Sequence, residues 1–123
     1  MASVYTQAGE EVVVDLIDGV SSAQLDAANA KIAQGTGAGT AGKGDTTLFT
    51  EASEARVATT ISQPAADQNR WVGTITADGT KTVIEAGLFD AVSAGNLIIH
   101  GDFAGIAVVA NDKIEFTIEL EQT

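Results

Sequence analysis

The segment Lys113-Ile-Glu-Phe-Thr-Ile-Glu-Leu-Glu121 alternates strictly between polar and apolar residues. Successive side chains of a β-strand point to opposite faces, so this pattern predicts a strand with one buried face and one solvated face. Such a strand needs neighbouring strands beside it and a second layer against its apolar face. The segment therefore predicts a β-rich fold. Its buried face is expected to carry Ile114, Phe116, Ile118 and Leu120.

A two-residue periodicity also recurs upstream of this segment, in stretches separated by turn signals. Asp78-Gly79 and Ala94-Gly95-Asn96 are turn sequences, and residues 64–69 are expected to form a loop. Five or six strands at this spacing predict a mainly β chain, folded as an antiparallel β-sandwich or barrel-like domain. The upstream strands are predicted at residues 56–61, 71–77, 82–89 and 97–103.

The first 30 residues differ from the rest and are expected to form a short N-terminal helix or arm, with the β-sandwich domain in residues 31–123. Residues 6–17 have apolar side chains at helical spacing, Thr6 is a suitable N-cap, and Gly19 is a suitable stop. The β-branched run Val12-Val13-Val14 also favours a strand, so a helix is predicted for residues 6–17 and a strand is the alternative. Residues 21–30 are predicted to form one or two helical turns or an ordered loop.

Length and charge exclude several classes of protein. The 123 residues suffice for one domain with its own core, and there is no cysteine, no signal-peptide pattern and no apolar run near the roughly 20 residues that span a bilayer. Seventeen acidic and six basic residues give a net charge of −11. We expect neither nucleic acid nor a membrane as partner, because binding either needs clustered lysine and arginine. The acidity is interpreted as a source of solubility and of repulsion between copies, or as adaptation to high salt.

A glycine-rich segment, residues 35–47, contains five of the 13 glycines and is predicted to form an exposed loop. Part of it resembles a phosphate-binding loop, but Gly44 replaces the serine or threonine that would bind Mg²⁺. Asp45, Glu51 and Glu54 flank the segment and could bind a cation, although a solvated acidic rim is the favoured interpretation. We expect no cofactor and no metal.

Two ionisable residues lie on predicted strands. His100, the single histidine, shares a strand face with Asp102, but no cysteine or serine in a nucleophile context accompanies it, so a surface position and no catalytic role are predicted. Glu85 interrupts an apolar strand. It is predicted to form a structural ion pair with Arg56 or Arg70, the only two arginines.

Most aromatic residues are predicted to lie in the core. Phe49 and Trp71 border loops and are candidate contacts with a partner, together with Tyr5. A carbohydrate-binding module for host attachment is an alternative function, and it would need Trp71 and Tyr5 to be exposed beside polar loops.

Several short motifs, in their order along the chain, resemble small structural proteins of tailed bacterial and archaeal viruses, described as head decoration, tail or tail-fibre-related proteins. The resemblance covers about residues 30–120, and its most specific part is Glu85-Ala-Gly-Leu-Phe-Asp90. Residues 1–30 do not match. The motifs lie at residues 32–37, 44–51, 54–56, 84–90, 95–97 and 112–118.

The resemblance implies a β-sandwich virion protein without enzymatic activity, present in many copies. Together with the small size, the acidity and the lack of catalytic motifs, it favours a capsid decoration (cement) protein, and the acidity suits display on the outer surface of the capsid. Such a protein would bind the major capsid protein through its N-terminal segment and loops as a homo-oligomer, with a trimer favoured. A tail, collar or tail-fibre-base component, bound to tail proteins, is the alternative within the same class.

Overall fold

The structure is a computed structural model that describes residues 2–19 and 25–122, without the side chain of Ala2. No helix in these two ranges is long and apolar enough to cross a membrane. The described elements are β1 (Ala2–Tyr5), α1 (Gln7–Asp18), β2 (Lys31–Gly35), β3 (Val57–Ala58), β4 (Thr60–Ala65), β5 (Gln68–Thr76), β6 (Lys81–Phe89), β7 (Leu97–Val108) and β8 (Lys113–Glu121).

The strands form two antiparallel sheets. One sheet has five strands in the order β1-β7-β6-β2-β3, and the other has three in the order β4-β5-β8. The chain passes from the first to the second at buried Thr59, whose hydroxyl donates to the Ala30 carbonyl at 3.1 Å. The prediction of a mainly β, sandwich-like domain with a short N-terminal helix is confirmed.

The main core contains side chains from both sheets. Trp71 and Ile75 of β5 lie in one apolar cluster with Ile32 of β2 and Leu88 of β6, and each is at most 2% exposed. Burying side chains of this kind stabilises the fold by roughly 1.5–3 kcal/mol each. A smaller cluster covers the opposite face of the five-stranded sheet and consists of Ala33, Leu48, Phe89 and Leu97.

The N-terminal segment forms part of this domain and is not a separate arm. β1 pairs with β7 from Ala2↔Asp102 to Tyr5↔Ile99, and α1 contacts β7. The helix prediction for residues 6–17 is confirmed over Gln7–Asp18. Of the segment predicted as residues 21–30, positions 21–24 lie outside the described residues, and Asp26 to Asn29 form a turn.

Capping interactions at both ends favour the helix over a strand for residues 7–18. The Thr6 hydroxyl accepts a hydrogen bond from Gly9 N at 3.0 Å, and Thr6 N donates to the Ile98 carbonyl at 3.0 Å. The pairing of β6 with β7 is irregular at Ile98, where one residue of β7 is inserted. Gly19 ends the helix with φ 72°, a left-handed conformation that glycine adopts readily.

One predicted loop is wrong. Residues 64–69 form the closed end of the hairpin between β4 and β5, because β4 continues to Ala65 and β5 begins at Gln68. Proline is tolerated at position 64 because β4 is an edge strand with a register irregularity between Ser62 and Ala65.

Candidate functional site

The site is built around the carboxylate of Glu85, which lies on β6 and is 0% exposed. Its Oε1 accepts a hydrogen bond from Phe49 N at 2.8 Å, and its Oε2 accepts from Gly37 N at 2.9 Å and from Thr50 N at 2.8 Å. These three donors come from the two ends of residues 36–50, which we call the anchored loop. One carboxylate therefore ties both ends of the anchored loop to the sheet.

His100 on β7 lies beside Glu85 and is also 0% exposed. Its Nε2 lies 2.9 Å from Oε1 of Glu85, and its Nδ1 lies 2.7 Å from Oδ2 of Asp45. Ionised carboxylates only accept hydrogen bonds, so both contacts require a proton on each ring nitrogen. With both carboxylates ionised, His100 is an imidazolium held between them. Its ring also packs against Phe49, with centroids 4.9 Å apart.

The buried carboxylate of Glu85 has a hydrogen-bond donor for each of its contacts. Glu85 accepts four hydrogen bonds, three from backbone N–H groups and one from the imidazolium of His100. Hydrogen bonds to ionised groups are about twice as strong as neutral ones, and they offset the cost of removing a carboxylate from water. The network stabilises one loop conformation because moving either loop end would take backbone donors away from a buried carboxylate.

Further acidic residues fix the middle of the anchored loop. Asp45 Oδ2 also accepts from Gly42 N at 2.8 Å, and Asp102 Oδ2 on β7 accepts from Ala41 N at 2.7 Å. Lys43 connects the loop to α1 through an ion pair with Glu10, and its carbonyl accepts from Gln7 N at 2.8 Å. The loop is held along its whole length.

Glycine is required where the loop approaches Glu85. A Cβ atom added at Gly37 would lie 2.5 Å from the Phe49 Cβ and 2.5 Å from Thr50 N, and one added at Gly35 would lie 2.6 Å from the Glu85 side chain. Both glycines are buried, so the prediction of an exposed loop over residues 35–47 is wrong at this end. These glycines allow close approach of the backbone to a carboxylate.

The predicted partners of Glu85 are wrong. Arg56 forms a two-pronged ion pair with Glu51, with both N–O distances 3.0 Å, and its guanidinium lies 3.6 Å above the Phe89 ring. Arg70 pairs with Glu119 at 3.1 Å. The cation beside Glu85 is His100, so the predicted surface position of that histidine is wrong as well.

The three candidate partner contacts have different surroundings. Trp71 is 2% exposed and its Nε1 donates to the Leu25 carbonyl at 2.8 Å, so the prediction of a partner contact there is wrong. Tyr5 is half-buried, and burial, with a contribution from Glu10, raises the pKa of its hydroxyl. Phe49 is 39% exposed on the anchored loop and is available to a partner.

A second polar cluster lies around Lys81. Its ammonium contacts Asp78 Oδ1 at 2.7 Å, Ser53 Oγ at 3.1 Å and a carboxylate oxygen of Glu54. Hydrogen bonds from Lys81 and Ser53 lower the pKa of Asp78 from 3.8 to about 2. Burial alone would raise the pKa of Glu54, but hydrogen bonds from Lys81 and the Asp78 backbone lower it on balance. The same two carboxylates raise the pKa of Lys81.

Replacing Lys81 by methionine is expected to reduce the loss of folding stability that occurs as pH falls below about 4. Carboxyl groups with lowered pKa values stabilise the fold above their ordinary pKa, and this contribution disappears as pH falls through the folded-state value. The wild-type urea midpoint should therefore fall between about pH 4 and pH 2, and less steeply in Lys81→Met. The raised pKa of Lys81 adds no slope at acid pH, because the stability it contributes is fully present below the ordinary value of 10.5 and is lost only as pH rises through the folded-state value. Exposed Lys113→Met is the control, and identical slopes in all three proteins would contradict the prediction.

The acidic residues proposed as a cation site have other partners. Asp45 contacts His100, Glu51 contacts Arg56, and Glu54 contacts Lys81. Within residues 2–19 and 25–122, no group of three or more histidine, aspartate or glutamate side chains is arranged so that it could hold a metal ion.

The geometry of the site suits holding a loop better than reacting with a substrate. Both nitrogens of His100 and both oxygens of Glu85 already have hydrogen-bond partners. Comparison with known proteins found no matching family model and no matching curated protein. The site is therefore described by its own geometry, as a buried ionic network that fixes the anchored loop on the five-stranded sheet.

Proposed function

We propose that this chain is a non-enzymatic structural protein of a virus particle, and specifically a decoration (cement) protein that binds the major capsid protein on the outer capsid surface. The observation that carries the proposal is the anchored loop. A buried carboxylate and a buried imidazolium hold it in one conformation while Phe49 remains 39% exposed on it. A loop ordered in advance loses little conformational freedom on binding, which favours tight assembly.

The exposed part of the anchored loop has the composition of a contact surface. Thr46, Thr47 and Thr50 are exposed and lie close to Phe49 in the sequence, and interfaces commonly combine a buried aromatic anchor with a polar rim. Phe49 is the proposed anchor. Its ring is supported from below by His100, so it can enter a pocket of the partner without first being ordered.

The charge of the chain supports display in many copies. A net charge of −11 on 123 residues keeps copies apart in solution and leaves association to specific contacts. The resemblance described above supports the virion class, and the acidity suits display on the outer capsid surface, where we expect a homo-oligomer with a trimer favoured.

The proposal is tested by locating the chain in purified particles, using cryo-EM together with quantitative protein staining. Hundreds of copies on the shell would support a decoration protein. A dozen or fewer copies at a vertex or on the tail would replace it by a tail, collar or tail-fibre-base component, and absence from every particle would refute a virion role.

Add-back to capsids that lack the chain tests the contact surface. We expect Phe49→Ala to lower occupancy of the shell by about tenfold or more, as loss of an aromatic anchor does. Val92→Ala is the matched control, because Val92 is 64% exposed and lies outside the anchored loop. Equal occupancy of the two variants would show that Phe49 does not contact the capsid.

A further inference from the structure

The side-chain amide of Gln34 is buried without a partner. Gln34 lies on β2 and is 2% exposed, yet neither its amide nitrogen nor its amide oxygen forms a hydrogen bond within residues 2–19 and 25–122. Its main chain is paired normally, since its carbonyl accepts a hydrogen bond from Ala52 N at 2.9 Å. Folded proteins rarely leave a buried amide unpaired, because the lost hydrogen bonds to water are then not replaced. The side chain therefore indicates a bound molecule that supplies the missing partners.

One carboxylate oxygen of Glu54 lacks a partner as well. The Glu54 side chain is 5% exposed, and its Oε1 accepts no hydrogen bond from the part of the chain that the structure describes. The two donors that reach this carboxylate, Asp78 N and Lys81 Nζ, both contact the other oxygen, Oε2. Lys81 has no N–H left for Oε1, because its three N–H groups are taken by the Glu54 Oε2, Asp78 Oδ1 and Ser53 Oγ atoms.

The unpaired atoms of Gln34 and Glu54 lie near each other. Alternation along β2 directs Gln34 to the same face as Ile32, between the two sheets. Burial raises the pKa of the Glu54 carboxyl, and hydrogen bonds from Lys81 and the Asp78 backbone more than offset this effect. The Gln34 amide adds to the lowering of that pKa, which requires the amide to be close to the carboxyl. No hydrogen bond of normal geometry joins the two side chains, so the contact between them needs a bridging molecule.

The chemistry of the unpaired atoms selects water as the bridging molecule. The set contains an amide NH₂ group, an amide oxygen and a carboxylate oxygen, so the molecule must both accept and donate hydrogen bonds. The neighbouring ammonium of Lys81 disfavours a cation, and the carboxylate of Glu54 disfavours an anion. Water is neutral and small, and a buried water typically forms about three hydrogen bonds to polar groups of this kind.

We propose that Gln34 and Glu54 bind at least one buried water molecule, which accepts a hydrogen bond from the Gln34 amide nitrogen and donates one to Oε1 of Glu54. The amide oxygen of Gln34 accepts from a neighbouring water. Glu54 follows the anchored loop in the chain, so the bridge attaches the segment that leaves this loop to β2. The water site is separate from the network around Glu85, and it does not depend on a virion role.

The site is tested directly by crystal structures of the full chain at a resolution that shows ordered water, grown in sodium and in rubidium salts. We expect the same electron-density peak in both, within about 3.2 Å of the Gln34 amide nitrogen and of Glu54 Oε1, and without anomalous scattering from rubidium. A direct hydrogen bond between the two side chains with no peak between them would overturn the inference. So would an anomalous rubidium peak, since the occupant would then be a cation.

A matched pair of variants tests the same site in solution. Oxygen-17 magnetic relaxation dispersion counts the buried waters that exchange slowly with the solvent. Gln34→Met removes both polar atoms of the side chain at nearly the same length, so we expect the count to fall by at least one. Gln63→Met makes the same chemical change at an exposed position of β4 and should leave the count unchanged. Equal counts in the wild type and both variants would refute the site, and if Gln34→Met does not fold, the wild-type crystal structures decide the question.

Discussion

Replacement of Glu85 by glutamine is expected to lower the free energy of unfolding by about 3–5 kcal/mol, the range found when one partner of a buried ion pair is removed. The amide has nearly the size of the carboxylate but turns an NH₂ group toward donors. In one orientation the NH₂ group would face Gly37 N and Thr50 N, and in the other it would face Phe49 N and His100 Nε2. Two donors would meet in either case, so hydrogen bonds would be lost. The variant also leaves the imidazolium without its buried counter-charge.

The effect of Glu85→Gln is measured by urea unfolding, followed through the fluorescence of Trp71, the single tryptophan, which is buried in the core. Glu119→Gln is the control, because its exposed ion pair with Arg70 should contribute no more than about 1 kcal/mol. Hydrogen exchange at Gly37, Phe49 and Thr50 should accelerate in the Glu85 variant. A loss below about 1 kcal/mol, or unchanged exchange at these amides, would show that the carboxylate does not hold the anchored loop.

The strands and the helix could be predicted because their signals are local. The alternation in Lys113–Glu121 follows from side-chain direction in a strand, and Thr6 and Gly19 bracket α1 by capping chemistry that acts within one turn. The predicted loop over residues 64–69 failed because a proline usually interrupts a strand. Only the sheet order shows that β4 is an edge strand, where proline is tolerated.

The site could be predicted only in part, because its contacts depend on the pairing of distant strands. Glu85 was recognised as structural from its position in an apolar strand, but its cation is His100, which comes within reach only because β6 and β7 are neighbours. Asp45 approaches the same ring from the anchored loop, 55 positions away along the chain. The sequence does contain one usable signal, since Gly35, Gly37 and Glu85 lie within two short motifs that the sequence singles out, residues 32–37 and 84–90.

The buried network favours a specific loop conformation rather than maximal stability. Apolar residues of similar volume often replace buried ion pairs without loss of stability, so the ions are better explained by the geometry they impose. Here they determine where residues 36–50 lie on the sheet. This is the property that a contact surface for assembly requires.

Replacement of His100 by leucine is expected to destabilise the chain by about 3 kcal/mol or more, because Glu85 would remain buried and ionised without its cation. Asp45 is 21% exposed and can regain water, so Asp45→Asn should have a smaller effect of about 1 kcal/mol. His100→Gln, which is neutral but can donate one hydrogen bond, should lie between these two variants.

A double-mutant cycle between Glu85→Gln and His100→Leu separates the ion pair from simple loss of packing. If the two side chains act as one unit, the double variant should be more stable than the sum of the single losses predicts, by about 1–3 kcal/mol. The same cycle between Glu85→Gln and Glu119→Gln should be additive within about 0.5 kcal/mol, because these side chains share no partner. Additivity in the first cycle would mean that His100 stabilises the fold only by filling space beside Phe49, and the imidazolium would then have no part in holding the anchored loop.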